Sequence, residues 1–347
     1  MVQYWLVAVE LKKQSSSGGV MVILAGDVGG TSTRLAYFES TRNGLVALAE
    51  GRYQSQEHSS LADIVRRFAT QYRMDAQRAC FGIAGPVIDG RVRTPNLPWN
   101  IDSGELAAAV GLKEVRLIND LEANTYGIAE LKAQDLLTLN PGVADPTGTI
   151  AVVSAGTGLG ESLAYWDGAA HMPLPSEAGH ADFAARNEVE ADLLLYLQAK
   201  HGRVSYERVL SGPGLLDIYR FLRDRHYFQE DEAIIAAMNA GDAPAVITRA
   251  ALDGSCPMCE KALDIFVAVY GAEAGNAALR FLATGGVYLG GGIAPKISEK
   301  LRGASFIVAF TAKGRLSSLV QTIPVHVILN ERTALLGAGR AASISSS

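Results

Sequence analysis

Apolar runs of strand length alternate with helical periods along this chain, the pattern of an α/β fold. Positions 22–26 form one short apolar run and 33–38 another, and the glycine pair in the intervening Asp27-Val-Gly-Gly-Thr-Ser32 predicts a hairpin. Further buried strands are predicted at 79–83 and 114–118. Between them, Asp102-Ser-Gly-Glu105 has capping-box spacing and starts a helix through 110. The pattern then restarts: a strand at 149–154, the glycine-rich turn AGTGLG, and a second strand at 162–166. This weak echo of 22–38 is expected if two related halves face each other. Helices are predicted at 188–200, 215–225 and 231–239, with a long Ala- and Gly-rich one at 259–282. A strand at 286–289 runs into Gly290-Gly291-Gly292 ahead of a helix near 294–302, and a terminal helix follows Asn330.

Length and charge narrow the picture. The 347 residues favour two domains, and 48% hydrophobic with 19% charged residues describes an ordinary packed core. The net charge of −5 carries no dense basic run, which argues against nucleic acid as a partner. Arg220, Arg223 and Arg225 read as the solvated face of a helix. Three cysteines, Cys80, Cys256 and Cys259, cannot all pair within one chain. Cys256-Pro-Met-Cys259 has the spacing of a redox pair or half a zinc site, but nothing completes a metal site, so it reads as two reduced thiols at a helix start. No apolar stretch reaches the roughly 20 residues of a membrane helix. Residues 1–20 make a poor signal peptide and end in a linker-like SSSGG run, an extension dispensable for chemistry. Cytoplasm is the expected location.

Five clusters can carry chemistry. In Asp27-Val-Gly-Gly-Thr31, Gly29, Gly30 and Thr31 expose backbone N–H groups to an anion, and Asp27 at the strand end can hold Mg²⁺ through water. Gly156-Thr157-Gly158 repeats the theme in the second half, so that two loops can clamp a polyphosphate. Each is also a plain tight turn when taken alone. Asn119-Asp120 follows a buried strand, where α/β proteins bind ligands; Asp120 is the candidate general base, although a helix N-cap fits the pair locally. Glu177-Ala-Gly-His180, with Glu207 further on, offers acceptors for sugar diols, or part of a metal site, or structural side chains. Gly290–Gly292 lets a flat base approach the backbone. Neither a P-loop nor a dinucleotide-binding glycine fingerprint after a strand is present, so any nucleotide is held differently.

Read in order, LAGDVGGTSTRLAYF, FGIAGPV, TPNLPW, VRLINDLEAN, AGTGLG, LPSEAGH, SYERVLSGPGL and GGVYLGGGIAP resemble bacterial glucokinase of the non-ROK group, in the superfamily of actin, hexokinase and heat-shock chaperones. The resemblance runs from about Met21 to the C-terminus. It implies two ribonuclease-H-like α/β domains facing across a cleft: a small one at 21–130 plus the segment from 330, and a large one at 131–329. It also implies ATP-dependent phosphorylation of D-glucose at the 6-hydroxyl, with Mg²⁺, in a homodimer. Asp120 then matches the catalytic base, and Asn119, Glu177, His180 and Glu207 the glucose contacts, with Asn96 in TPNLPW as a further one. Asp27 to Thr31 and Gly156 to Gly158 match the phosphate loops, and Gly290 to Gly292 the adenosine motif. Glu161, just after AGTGLG, departs from the small apolar residue common there and alters the charge expected near the nucleotide. The Cys-rich zinc motif of the ROK group is absent, which removes zinc from the expected cofactors. Rival readings are a kinase for fructose, mannose or glucosamine, a sugar-sensing regulator, and a chaperone-type ATPase. A regulator needs a helix-turn-helix segment and a chaperone lacks the sugar contacts.

Overall fold

The computed structural model describes residues 21–94 and 97–344; the expected sugar contact Asn96 and the extension at 1–20 lie outside them. The chain divides into two compact units, one of Met1–Glu130 joined by Arg332–Ser347, the other of Leu131–Glu331.

In the first unit, β1 (Met21–Val28), β2 (Ser32–Thr41), β3 (Gly44–Gln54), β4 (Arg78–Ile83) and a short pair, β5 (Arg91–Arg93) with β6 (Asn100–Asp102), precede β7 (Arg116–Asn119). The main sheet has the order β3-β2-β1-β4-β7. Its first two pairings are antiparallel, and β1, β4 and β7 run parallel. Side chains alternate across it. Leu24 and Val28 face a core with Leu61, Ile64, Val65 and Phe68 of α1 (Leu61–Tyr72). Ile23, Ala25 and Asp27 point to the opposite side. That side is covered by α3 (Asp120–Gly127) and the C-terminal helix Thr333–Ser343, while α2 (Ser103–Val110) lies beside α1. α1 and β3 are not among the expected elements, yet Leu61, Ile64, Val65 and Phe68 have the helical i, i+3, i+4, i+7 spacing behind a Ser60 N-cap. The expected capped helix after Asp102 is present: the Asp102 carboxylate accepts the Gly104 and Glu105 N–H groups.

The second unit repeats the plan. Its sheet is β11 (His171–Leu174), β10 (Leu159–Trp166), β9 (Ile150–Ala155), β12 (Gly286–Gly290), β13 (Val325–Ile328) and β8 (Leu136–Asn140), in that order. Again the first two pairings are antiparallel and the next two parallel, with β8 added antiparallel at the edge. β9 therefore corresponds to β1 and β10 to β2, and the echo read in the sequence is a true repeat of topology. Helices α4 (Glu188–His201), α5 (Gly212–Asp224), α6 (Glu232–Ala240), α7 (Ala243–Leu252) and α8 (Pro257–Arg280) follow β11, and the short α9 (Ser298–Leu301), α10 (Ala304–Thr311) and α11 (Ser317–Gln321) lie between β12 and β13. The region expected as one helix near 294–302 is a 3₁₀ turn, Ala294–Ile297, followed by the single turn of α9. α8 is the buried axis of this unit; Gly271 and Gly275 lie against the backbone of α10, where a Cβ would stand 2.2 Å from the Phe306 carbonyl oxygen and 2.4 Å from that of Phe310. Cys256 and Cys259 are free buried thiols, Cys256 capping α8 through its sulfur. Arg220 pairs with the buried Asp217, while Arg223 and Arg225 form surface ion pairs with Asp224 and Asp192. Among the described residues no helix is long and apolar enough to cross a membrane.

Candidate active site

Each unit carries part of the expected constellation. In the first, the turn Gly29-Gly30-Thr31 joins β1 to β2. Gly29 N–H donates to the Ser32 carbonyl (3.0 Å), and Ser55 closes the turn by donating its hydroxyl to the Gly29 carbonyl (2.8 Å) and its N–H to that of Thr31 (3.0 Å). Asp27 pairs across the sheet with Arg34 on β2 and with Gly82 on β4. Burial pushes its carboxyl up to about 6; Arg34 opposes the shift and the negative charge of Asp120 adds to it. Sequence spacing alone does not join Asp27 to Asp120. The parallel ladder does, because Ile83, next to Gly82, pairs with Asn119, and α3 begins there. Gly82 makes room: a Cβ on it would stand 2.6 Å from the Ala123 Cβ.

Asn119 is the N-cap of α3, its Oδ1 accepting the Leu121 N–H (2.9 Å), while its Nδ2 donates to the Gly85 carbonyl (3.0 Å). The local capping role and a ligand role are compatible, since an amide keeps one acceptor site and one donor hydrogen after these two bonds. Asp120 accepts its neighbour's N–H through Oδ1 (2.9 Å), which helps fix the carboxylate at the helix N-terminus.

The second unit brings Gly156–Gly158, His180 and Glu207 together. Gly156 N–H donates to the Gly158 carbonyl (2.8 Å) and the Gly212 N–H to that of Gly156 (2.9 Å), which joins the loop to the start of α5. Glu207 Oε2 accepts the Leu159 N–H (3.0 Å), one residue past the loop, and its Oε1 lies 3.8 Å from His180 Nδ1. Glu177 is exposed at the head of the turn Ala178–His180, and its carbonyl accepts the His180 N–H (3.0 Å). That turn is fastened to the segment bearing Glu207 by the bonds Phe183 N–H to Val204 and Tyr206 N–H to Ala181. Gly290 pairs with Ser154, and Gly291, at φ +80°, sits where a Cβ would meet the Ala155 carbonyl at 2.2 Å. The triple glycine thus borders the end of β9, from which the Gly156–Gly158 loop springs, and both Gly156 and Gly292 face open space.

Ser55 and Ser211 are also part of this architecture, although spacing does not single them out. Ser211 caps α5 and donates its hydroxyl to the Glu207 carbonyl (2.7 Å); its signal is the Ser-Gly-Pro-Gly run, with proline in the first helical turn. Glu161 is turned into the core rather than toward the loop, fully buried with Arg280 3.4 Å away. The charge change expected near the nucleotide is taken up inside the unit.

Two units with the same sheet order, each with a glycine turn between its first antiparallel strands, define a sugar kinase of the actin-like ATPase fold. A glucokinase from an Antarctic psychrotroph superimposes with a TM-score of 0.85 at 30% identity, covering 93% of this chain and 99% of that one. The chain belongs to the glucokinase family, whose model matches residues 24–344. The glucokinase of Nostoc sp. (strain PCC 7120) is 43% identical over 338 residues, which is 93% of this chain and 99% of that protein. A glucokinase from Balamuthia mandrillaris, solved in complex with glucose, shares the fold with a TM-score of 0.75 at 21% identity, covering 95% of each chain.

Proposed function

We propose that this protein transfers the γ-phosphoryl group of ATP to the 6-hydroxyl of D-glucose, as a member of the non-ROK group. The observation that carries the reading is the fixing of Glu207, a carboxylate suited to a polyol, by the N–H of Leu159, the residue that leaves the Gly156–Gly158 loop. The candidate sugar contact and the candidate phosphate loop are then joined by a direct hydrogen bond. Asp120 takes the proton of the 6-hydroxyl as the phosphoryl group arrives, and Asn119, Glu177, His180 and Glu207 hydrogen-bond the other hydroxyls, with Asn96 as a further contact. With the Gly29 and Gly156 N–H groups closing their own turns, the backbone N–H groups of Gly30, Thr31, Thr157 and Gly158 hold phosphate oxygens, and Gly290–Gly292 accept the adenine face.

Mg²⁺ suits the first unit. A carboxyl raised by burial and by a second carboxylate is relieved by a hard cation that takes one or two carboxylates and keeps several waters. Asp27 would hold it, and when bound it supplies charge neutralisation at the phosphates. The group's motifs LINDLEAN, SEAGH and SYERVLSGPG support the subgroup, and the same resemblance supports a cytoplasmic homodimer. A coupled assay with ATP–Mg²⁺ against glucose, fructose, mannose and glucosamine tests the reading. Glucose should give the highest kcat/KM; equal turnover of fructose, or none of any hexose, would overturn it.

A further inference from the structure

Glu207 is preceded by Tyr206, whose ring is buried edge-to-face on Phe183 (5.6 Å between centroids, 85° between planes). The Tyr206 hydroxyl receives a hydrogen bond from Asn276 Nδ2 (3.0 Å), and burial, followed by the nearby Glu273 carboxylate, pushes its phenol above the ordinary value. Asn276 Nδ2 also donates to Glu273 Oε2 (2.9 Å), and Arg280 Nη1 donates to Glu273 Oε1 (2.5 Å). Glu273, Asn276 and Arg280 fall at i, i+3 and i+7, one face of α8. From that face Arg280 also reaches Glu161 Oε2 on β10 (3.4 Å). Glu161 pairs with Val153, which pairs in turn with Leu289, so the carboxyl stands in an otherwise apolar row against α8. Lys313 closes the far side by donating to the Ala272 carbonyl (2.8 Å) and to Asn276 Oδ1 (2.6 Å).

One face of α8 therefore holds both stretches that fix the Glu207 carboxylate. Through Tyr206 it holds the turn that bears Glu207; through Glu161 it holds β10, two residues beyond the Leu159 N–H that Glu207 accepts. Two carboxylates buried this completely are costly unless each is paired or protonated. Arg280 pairs with both carboxylates.

We propose that Tyr206, anchored by Asn276, is a positioning residue for Glu207, and that α8 thereby sets the affinity of the enzyme for its sugar. The inference rests on the reading of Glu207 as a sugar contact. Removing the Tyr206 hydroxyl takes away the side-chain anchor of the turn while its backbone bonds and the ring on Phe183 stay. The Glu207 carboxylate then samples orientations that do not meet the sugar hydroxyls. Sugar affinity falls, while ATP binding and the proton transfer at Asp120 are spared.

The test compares Tyr206→Phe, Glu207→Gln, the double variant and Asn276→Ala in the coupled assay, with KM for glucose, KM for ATP and kcat measured for each. Tyr206→Phe should raise KM for glucose about tenfold, the worth of a buried hydrogen bond, with KM for ATP and kcat within about threefold of the parent. Asn276→Ala removes the same hydrogen bond from its other side and should raise KM for glucose by a similar factor. The double variant should be no worse than Glu207→Gln, because Tyr206 acts through Glu207. If Glu207→Gln raises KM for glucose but Tyr206→Phe does not, the positioning role is wrong and the sugar contact stands. If Glu207→Gln leaves KM for glucose unchanged, the sugar contact itself is wrong. Equal rises in both KM values for Tyr206→Phe would mark general loosening and also overturn the proposal. Should Tyr206→Phe not fold, an Asn276→Ala enzyme with unchanged KM for glucose would overturn it alone.

Discussion

A Cβ placed on Gly158 would stand 2.5 Å from Oε2 of Glu207, so the candidate phosphate loop and a candidate sugar contact leave no room between them for even a methyl group. Glycine at 158 leaves room for a side chain 49 positions later, and its own backbone angle lies outside the left-handed region. Any residue but glycine must move the carboxylate, the loop, or both.

Gly158→Ala should therefore damage both substrates together. The carboxylate loses its place at the Leu159 N–H and the loop shifts relative to the phosphates. An overpacking cost of about 1–3 kcal/mol at the site corresponds to a fall in kcat/KM of roughly 5- to 150-fold. Both KM values should rise, as read by varying each substrate at saturation of the other. A change confined to ATP would show that Glu207 yields without consequence.

Asp120→Asn keeps the side chain's shape and its bond to the Leu121 N–H but removes the basic oxygen. General-base catalysis contributes about 10²- to 10⁴-fold, so kcat should fall by that factor. Glucose binding measured by titration calorimetry should change little. Near-normal turnover in this variant would remove Asp120 from the role of base.

Gly337 and Gly127 let the C-terminal helix lie directly on α3. A Cβ on Gly337 would stand 1.7 Å from the Ala123 carbonyl oxygen, and one on Gly127 2.1 Å from that of Thr333. Gly337→Ala should destabilise the first unit by about 1–3 kcal/mol and lower its Tm by several degrees. Because α3 begins at Asp120, kcat should fall as well. Calorimetry and the coupled assay read the two effects separately, and an unchanged Tm would show that the helix can slide without cost.

The buried polar group in the second unit has a pH signature. Burial first, then the neighbouring Glu273, pushes the Glu161 carboxyl up to about 8 from an ordinary 4.5, against the pull of Arg280. Between those values the folded protein binds a proton that the unfolded chain releases. The stability this contributes is full below pH 4.5 and is lost as pH rises through about 8. Glu161→Gln imitates the protonated form, so the Tm of the parent minus that of the variant should decrease steadily from pH 5 to pH 8. Lys313, pushed down to about 8 by burial and by Arg186 and Arg280, acts in the opposite sense above pH 8, so the comparison is made below it. A difference that stays flat across this range would mean that Glu161 is ionised throughout.

Much of this architecture was legible along the chain because its causes are local. Gly29-Gly30 between two apolar runs predicts a hairpin turn, and Asp102 three residues before Glu105 predicts a helix start; each depends on atoms within a few residues of one another. The halves repeat visibly for the same reason, since strand, glycine turn and strand form one local unit. Even the uncounted α1 was there to be read in its spacing and its serine cap.

Other relationships have no local cause. Asp27 meets the field of Asp120 because parallel strands β1, β4 and β7 bring their ends into one row. Gly158 leaves room for Glu207 to return to it, and Glu161 is tolerated because Arg280 of α8 arrives beside it. Sequence by itself determined where the chain turns, caps and repeats, since those depend on backbone angles and short-range hydrogen bonds. Only the tertiary structure decided which distant carboxylates share an environment, because charge and desolvation act through space and that space exists only once the strands have paired.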